Sequence, residues 1–136
     1  DINLIIPFLR GFFDGDGCFS IGYRKQVNQN GLKSIMADFS IIGQLSFLKE
    51  IQNIFKNLDI DSYTTTCSNT NVVFKLRVGG NKNIIKVMET LYNNSSIHLE
   101  RKFDKYQEFK KVYLGRYSKN IHLFVPCCFS SEMIYL

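Results

Sequence analysis

The residues best placed to do chemistry in this 136-residue chain are Asp14 and Asp16, within Asp14-Gly15-Asp16-Gly17, which closes the apolar stretch Leu9-Arg10-Gly11-Phe12-Phe13. The end of a helix carries partial negative charge from its unpaired carbonyls, so both acids sit where a carboxylate is electrostatically disfavoured. A divalent cation reverses that penalty. Asp16 and a neighbouring carbonyl such as that of Gly15 are hard oxygen donors of the kind Mg²⁺ accepts, with water and phosphate completing the shell. A plain helix cap that opens a hairpin would use the same tetrapeptide, and these four residues alone do not decide between the two. A calcium loop is excluded: counted from Asp14, it needs Gly at the sixth position and Glu at the twelfth, where Phe19 and Lys25 stand.

Gly11 and Gly15 lie four apart, on one helical face, and neither has a Cβ, so another backbone can approach closely. With Phe8 and Phe12 beside them they form the expected dimer interface. If the partner is the same helix of a second copy about a two-fold axis, two Asp16 carboxylates arrive side by side. In two-metal hydrolysis one ion helps water to attack and the other stabilises the leaving oxygen, so one motif used twice would serve two strand scissions.

The elements that must hold these residues are legible from periodicity. Over residues 1–15, Leu4, Ile5, Phe8, Leu9, Phe12 and Phe13 recur at three and four, with Asp1 or Asn3 as N-cap and Gly17 as the stop, predicting a helix that is apolar nearly all round. Phe19, Ile21 and Tyr23 alternate with polar residues. After a turn at 26–31 the alternation resumes with Ile35, Ala37, Phe39 and Ile41, giving two antiparallel strands. Helical spacing over 44–58 (Leu45, Leu48, Ile51, Phe55, Leu58) precedes short strands at 62–68 and 72–78; helices follow from Ile84 to Leu91 and over 99–114. The order predicts an α+β fold, αββαββα with a further helix: a four-stranded antiparallel sheet with helices on one face, the other face polar and open. No linker or repeat divides the chain, so 1–117 is read as a single domain, followed by a tail at 118–136 without clear periodicity.

Leu9, Gly11, Phe12, Phe13, Asp14, Gly15, Asp16 and Gly17 together resemble the signature of the LAGLIDADG homing endonucleases, with Arg10 as the deviating position. The element order as far as about Gly115 is also similar to the family's core. The resemblance implies that Asp16 binds the catalytic metal, assisted by the Gly15 carbonyl, while Asp14 holds the turn. It further implies a polar residue near the end of the second strand and a basic residue before the last helix, both around metal-bound water. Gln44 and either Arg101 or Lys102 are the nearest matches, although Gly43 stands where the family's Gln is usual and Arg101 where Lys is. The expected activity is Mg²⁺-dependent, with Mn²⁺ as a substitute and Ca²⁺ supporting binding without cleavage. A homodimer would make a staggered double-strand break at a long pseudo-palindromic site, as in intron homing. The rival reading on the same fold is a non-cutting intron maturase, with intron RNA as a partner, or a DNA-binding regulator; half of a longer two-motif protein is a further alternative.

For reading double-stranded DNA, the open face offers Ser20, Arg24 and Gln26 on the first strand, Lys33, Asp38 and Ser40 on the second, and Asn71, Lys75 and Arg77 on the fourth. Arg and Gln can bond guanine and adenine edges bidentately in the major groove, where a β-ribbon fits. The hairpin tip, with Asn28 and Asn30, could extend along the groove, and Lys82, Lys110, Lys111, Arg116 and Lys119 are candidate phosphate contacts. With 17 Lys and Arg against 12 Asp and Glu, the net charge is +5, and a dimer would carry twice that, which suits a polyanion. Cys18, Cys67, Cys127 and Cys128 form no CxxC pair near histidines, so neither a zinc cluster nor a disulfide framework is indicated, and a reducing compartment is expected. The longest apolar stretches are too short, or too broken by Arg10 and Pro126, to cross a bilayer, so no membrane partner is expected. Usage rich in Ile, Asn, Lys, Phe and Tyr and poor in Ala is that of an AT-rich gene and suggests a mitochondrion or chloroplast. The chain begins at Asp1 rather than Met, so residues are expected upstream.

Overall fold

The computed structural model describes residues 1–27, 31, 33–67 and 72–120. Helix α1 (Ile2–Asp16) starts at Asp1, whose carboxylate accepts the Asn3 N–H, and passes directly into β1 (Gly17–Val27). There follow β2 (Lys33–Gly43), α2 (Leu45–Asn57), β3 (Tyr63–Thr66), β4 (Phe74–Val78), α3 (Asn81–Tyr92) and α4 (Glu100–Asn120). The expected order of eight elements stands. The last helix runs on to Asn120, beyond the expected limit at 114, so the first residues assigned to the tail are helical. Its continuation crosses Gly115 at a cost of about 1 kcal/mol relative to Ala, while Val112 and Tyr113 pack on the core.

All strands pair antiparallel in the order β1-β2-β4-β3. The register sets Phe19 opposite Phe39, and Phe39 opposite Val78, so alternate residues of three strands form one apolar face. Onto that face α1 buries Leu9 and Phe13, α2 buries Leu48, Ile51 and Phe55, α3 buries Ile84, Val87, Met88, Leu91 and Tyr92, and α4 buries Tyr106 and Phe109. Phe13 is the hinge of this core. Its ring stacks on Phe39 at 4.5 Å, and Phe39 meets Phe55 at 6.2 Å, so one helix, the inner strand β2 and a second helix share a continuous aromatic column. Gly80, at φ +86, makes the left-handed bend that starts α3.

Lys110 corrects one expectation. It was a candidate phosphate contact, yet it is 1% exposed, paired with Glu89 at 3.4 Å. Its place at four residues from Tyr106 and one from Phe109 puts it on the inward stripe of α4, where helical phase overrides charge. Lys82 and Lys111 remain exposed. No helix among the described residues is long and apolar enough to cross a membrane.

Two substitutions test this packing. Phe13→Ala should lower the free energy of urea unfolding by about 3–5 kcal/mol, the usual cost of emptying a buried aromatic site; a loss under 1 kcal/mol would show that the column is not the core's centre. The Tyr106 hydroxyl is buried with no partner among the described residues. Burial, with a smaller push from Glu89, raises its pKa far above the ordinary tyrosine range. A folded-state pKa above the unfolded one gives stability that holds below about pH 10 and is lost as pH rises past it. Tyr106→Phe should therefore leave the midpoint at pH 7 unchanged or raised and flatten the alkaline loss, as followed by urea titration at several pH values.

Candidate active site at the end of helix α1

The turn that ends helix α1 is open only to a residue without a side chain. A Cβ on Gly17 would lie 2.1 Å from the Phe13 ring and 2.5 Å from the Phe13 carbonyl oxygen, so the turn into β1 requires glycine by close approach. The Gly17 N–H donates to the Phe13 carbonyl. Three carbonyls around the terminus converge on Lys102, in the first turn of α4: its Nζ donates to the carbonyl oxygens of Phe13, Asp14 (3.0 Å) and Gly17, and lies 4.7 Å over the Phe13 ring. A cation at the negative end of a helix dipole is electrostatically favoured. Burial lowers the Lys102 pKa, and Arg101 adds to the lowering, while Asp14, Cys18 and Asp16 act against it.

The two motif acids occupy different environments. Asp14 is committed: one oxygen accepts the Tyr92 hydroxyl and the other accepts the Leu99 N–H at 2.8 Å, just before α4 begins. Burial first, and then Asp14 itself, pushes the Tyr92 hydroxyl well above its ordinary pKa. Asp16 is exposed and has no hydrogen bond or ion pair among the described residues. Arg10, the deviating motif position, donates through Nε to the Leu91 carbonyl at 2.7 Å and through Nη1 to that of Ile97 at 3.5 Å, so it secures the end of α3 and the segment leading to α4. Of the two motif acids, one chain therefore presents one free carboxylate, with the Gly15 carbonyl beside it, and no cluster of three His, Cys, Asp or Glu side chains is found among the described residues. The donors present are hard oxygens, suited to a divalent cation, but they make up part of a coordination shell.

The outward seam of α1 is bare. A Cβ on Gly11 or Gly15 would meet nothing within 4 Å among the described residues, none of which requires glycine at either place. Leu4 is 74% exposed and Phe8 58%, an apolar edge that continues the seam. Phe12 is half-buried against Phe47 of α2, with ring centroids 4.8 Å apart. On the other side, a groove lined by Pro7, Arg10, Gly11, Asn94 and Ile97 separates α1 from the segment after α3.

On the open sheet face the pairing rows are Cys18–Ser40–Arg77–Tyr63 and, two residues on, Ser20–Asp38. Ser20 and Arg24 are exposed, Lys75 is half-buried, and Ser40 is only 4% exposed beneath its neighbours. Arg77 Nη2 bonds Asp38 Oδ1 at 2.7 Å, so two expected DNA contacts are first of all partners of each other. Gln26 and Lys33 lie on β1 and β2; Asn28, Asn30 and Asn71 lie outside the described residues. Met36, Ile42 and Tyr63 share this face, a contribution that polar patterning overlooked but strict two-residue alternation would have found. Gln44 and Arg101 are both exposed. The pairing of Gly17 with Ile41 lets β2 overrun β1 at this end, so Gln44 leaves the sheet beside the α1 terminus.

Comparison with known proteins agrees with this arrangement. The profile of the LAGLIDADG endonuclease family matches residues 9–113. A protein of Schizosaccharomyces pombe named as the probable intron-encoded endonuclease Cox1-I1b is 31% identical over 117 residues; the match covers 86% of this chain and 29% of that protein, so this chain spans less than a third of it. Among solved structures, the archaeal intron-encoded homing endonuclease I-Vdi141I complexed with DNA superposes with a TM-score of 0.66 at 17% identity, over 87% of this chain and 72% of that one. I-SmaMI bound to uncleaved DNA with calcium gives 0.64 at 22%, over 85% and 38%. The group I intron-encoded I-CeuI complexed with DNA gives 0.63 at 14%, over 96% and 63%. These likenesses show a shared fold, and with the profile match they establish that the chain belongs to the LAGLIDADG endonuclease family.

Proposed function

We propose that two copies of this chain form a divalent-metal-dependent DNA endonuclease that makes a staggered double-strand break at a long pseudo-palindromic target. The observation that carries this reading is the position of Asp16: an exposed carboxylate, unpartnered among the described residues, where a bare glycine seam meets the open sheet face. The named DNA complexes of I-Vdi141I and I-CeuI, which share the fold, support DNA as the substrate.

Asp16 and the Gly15 carbonyl would hold the metal, and a second copy, DNA phosphate and water would supply the oxygens that one chain lacks. Mg²⁺, or Mn²⁺ in its place, would there supply the charge that assists attack by water and stabilises the leaving oxygen; Ca²⁺ would support binding without cutting. Lys102 brackets the ligand pair by binding carbonyls on both sides of it, at Asp14 and Gly17, and so fixes where Asp16 points. Gln44 and Arg101 are proposed to act on water near the metal. The seam of Gly11 and Gly15, with Phe8 and Phe12, takes the same seam of the second copy, since an isologous contact needs one surface to complement itself. The sheet face enters the major groove, with Ser20, Arg24, Gln26, Lys33, Lys75 and Arg77 as contacts. The composition suits an organellar site of action.

Duplexes are selected from a randomised library in Ca²⁺, and Mg²⁺ is then added. The parent should cut its selected site, and Asp16→Asn should bind it equally well without cutting; cutting by Asp16→Asn would remove this acid from the mechanism. Specific binding without cutting by the parent would instead support a maturase or regulator. Affinity should fall steeply with salt, with a log–log slope of about −0.9 per phosphate contacted. Gly11→Leu should abolish dimer formation in sedimentation velocity, and a parent that sediments as a monomer would favour pairing with a second, different domain.

A further inference from the structure

We infer that Asp38 is a positioning residue that aims Arg77 at a guanine, making the Asp38–Arg77 pair one specificity element of the target. The inference rests on the reading of the open sheet face as the DNA-binding surface. Asp38 on β2 and Arg77 on β4 are diagonal neighbours: Arg77 stands opposite Ser40, two residues along β2 from Asp38 and on the same face. The bond from Nη2 to Oδ1 is 2.7 Å, and the two side chains remain 38% and 44% exposed, so the pair is held together yet open outward.

The guanidinium is held on one side by Asp38, with its Nε end turned into the sheet. Its Nε is buried without a partner among the described residues, and one Nη2 hydrogen is taken by Asp38. Nη1 and the second Nη2 hydrogen have no partner among the described residues, and these are the donors that an end-on bidentate contact uses. An ion pair this exposed contributes little to stability. It also makes a poor phosphate contact, because the carboxylate cancels the field of the cation and repels the backbone. A planar fork held in one orientation matches two acceptors side by side. In the major groove only guanine offers that pattern, through N7 and O6, whereas adenine sets a donor beside its N7. Arg77 shares its row with Cys18, two residues after Asp16, so the guanine lies toward the part of each half-site nearer the cut.

The test is selection and sequencing of bound sites in Ca²⁺ for the parent, Arg77→Lys, Asp38→Ala and Asp38→Asn, with thermal melting to confirm folding. The parent should show a guanine column that recurs in both half-sites. Arg77→Lys keeps the charge but loses the fork, and should weaken preference at that column about tenfold. Asp38→Ala should weaken the same column and no other, leave the salt slope unchanged, and add nothing when combined with Arg77→Lys. Asp38→Asn, whose amide oxygen can still accept from Nη2, should retain most of the preference. A change confined to a cytosine column in Asp38→Ala would make Asp38 a base contact itself and overturn the inference. Unchanged columns in all variants, with a long site still selected by the parent, would overturn it while leaving the DNA-reading assignment standing; no selected site from the parent would defeat both.

Discussion

Three carbonyl oxygens at the end of α1 converge on one buried ammonium, that of Lys102, and the arrangement around the candidate site depends on that convergence. Helix ends leave carbonyls without donors, and those near the core cannot turn to water. One lysine from α4 has three hydrogens and meets three acceptors, so it satisfies the terminus and at the same time sets the angle between α1, β1 and α4. Removing water from a charged lysine is costly, which is why its pKa is lowered; the charge-assisted bonds and the negative helix end offset that cost.

The division of labour between the two acids follows from the same geometry. Asp14 faces α3 and α4, where Tyr92 and the Leu99 N–H are waiting, and it becomes part of the scaffold. Asp16, two residues later, lies beyond the core and is exposed. Two identical side chains in one tetrapeptide thus differ because one has donors within reach and the other, among the described residues, has none, so it retains its capacity to bind a cation.

Much of this was legible in the sequence, for identifiable reasons. Periods of 3.6 and 2 gave all eight elements, since each buries one face; the helix expected over 44–58 is observed as Leu45–Asn57. Gly17 was readable as a stop, although the Phe13 ring packed where its Cβ would lie was not. What sequence patterning missed concerns charges on apolar faces and contacts between strands. Lys102 and Lys110 both fall on the inward stripe of α4 with Phe103, Tyr106 and Phe109, where helical phase outweighs residue type. Asp38 and Arg77 are 39 residues apart, and their pairing depends on a strand register that no local pattern encodes. Of the candidate site, Asp16, Gly15 and Lys102 could be named, but the three oxygens that Lys102 holds could not.

The direct passage from α1 to β1, with Asp16 ending one and Gly17 beginning the other, leaves no intervening loop. Helix and strand are therefore geared together. An inserted or deleted residue at the junction would turn every side chain of β1 to the opposite side of the sheet, sending Phe19 into solvent and Ser20 into the core. Such a protein can change what it recognises only by exchanging one side chain for another on a frame that stays still. Under the proposed function, its lineage would move across related DNA sequences in small steps while Asp16 keeps its place.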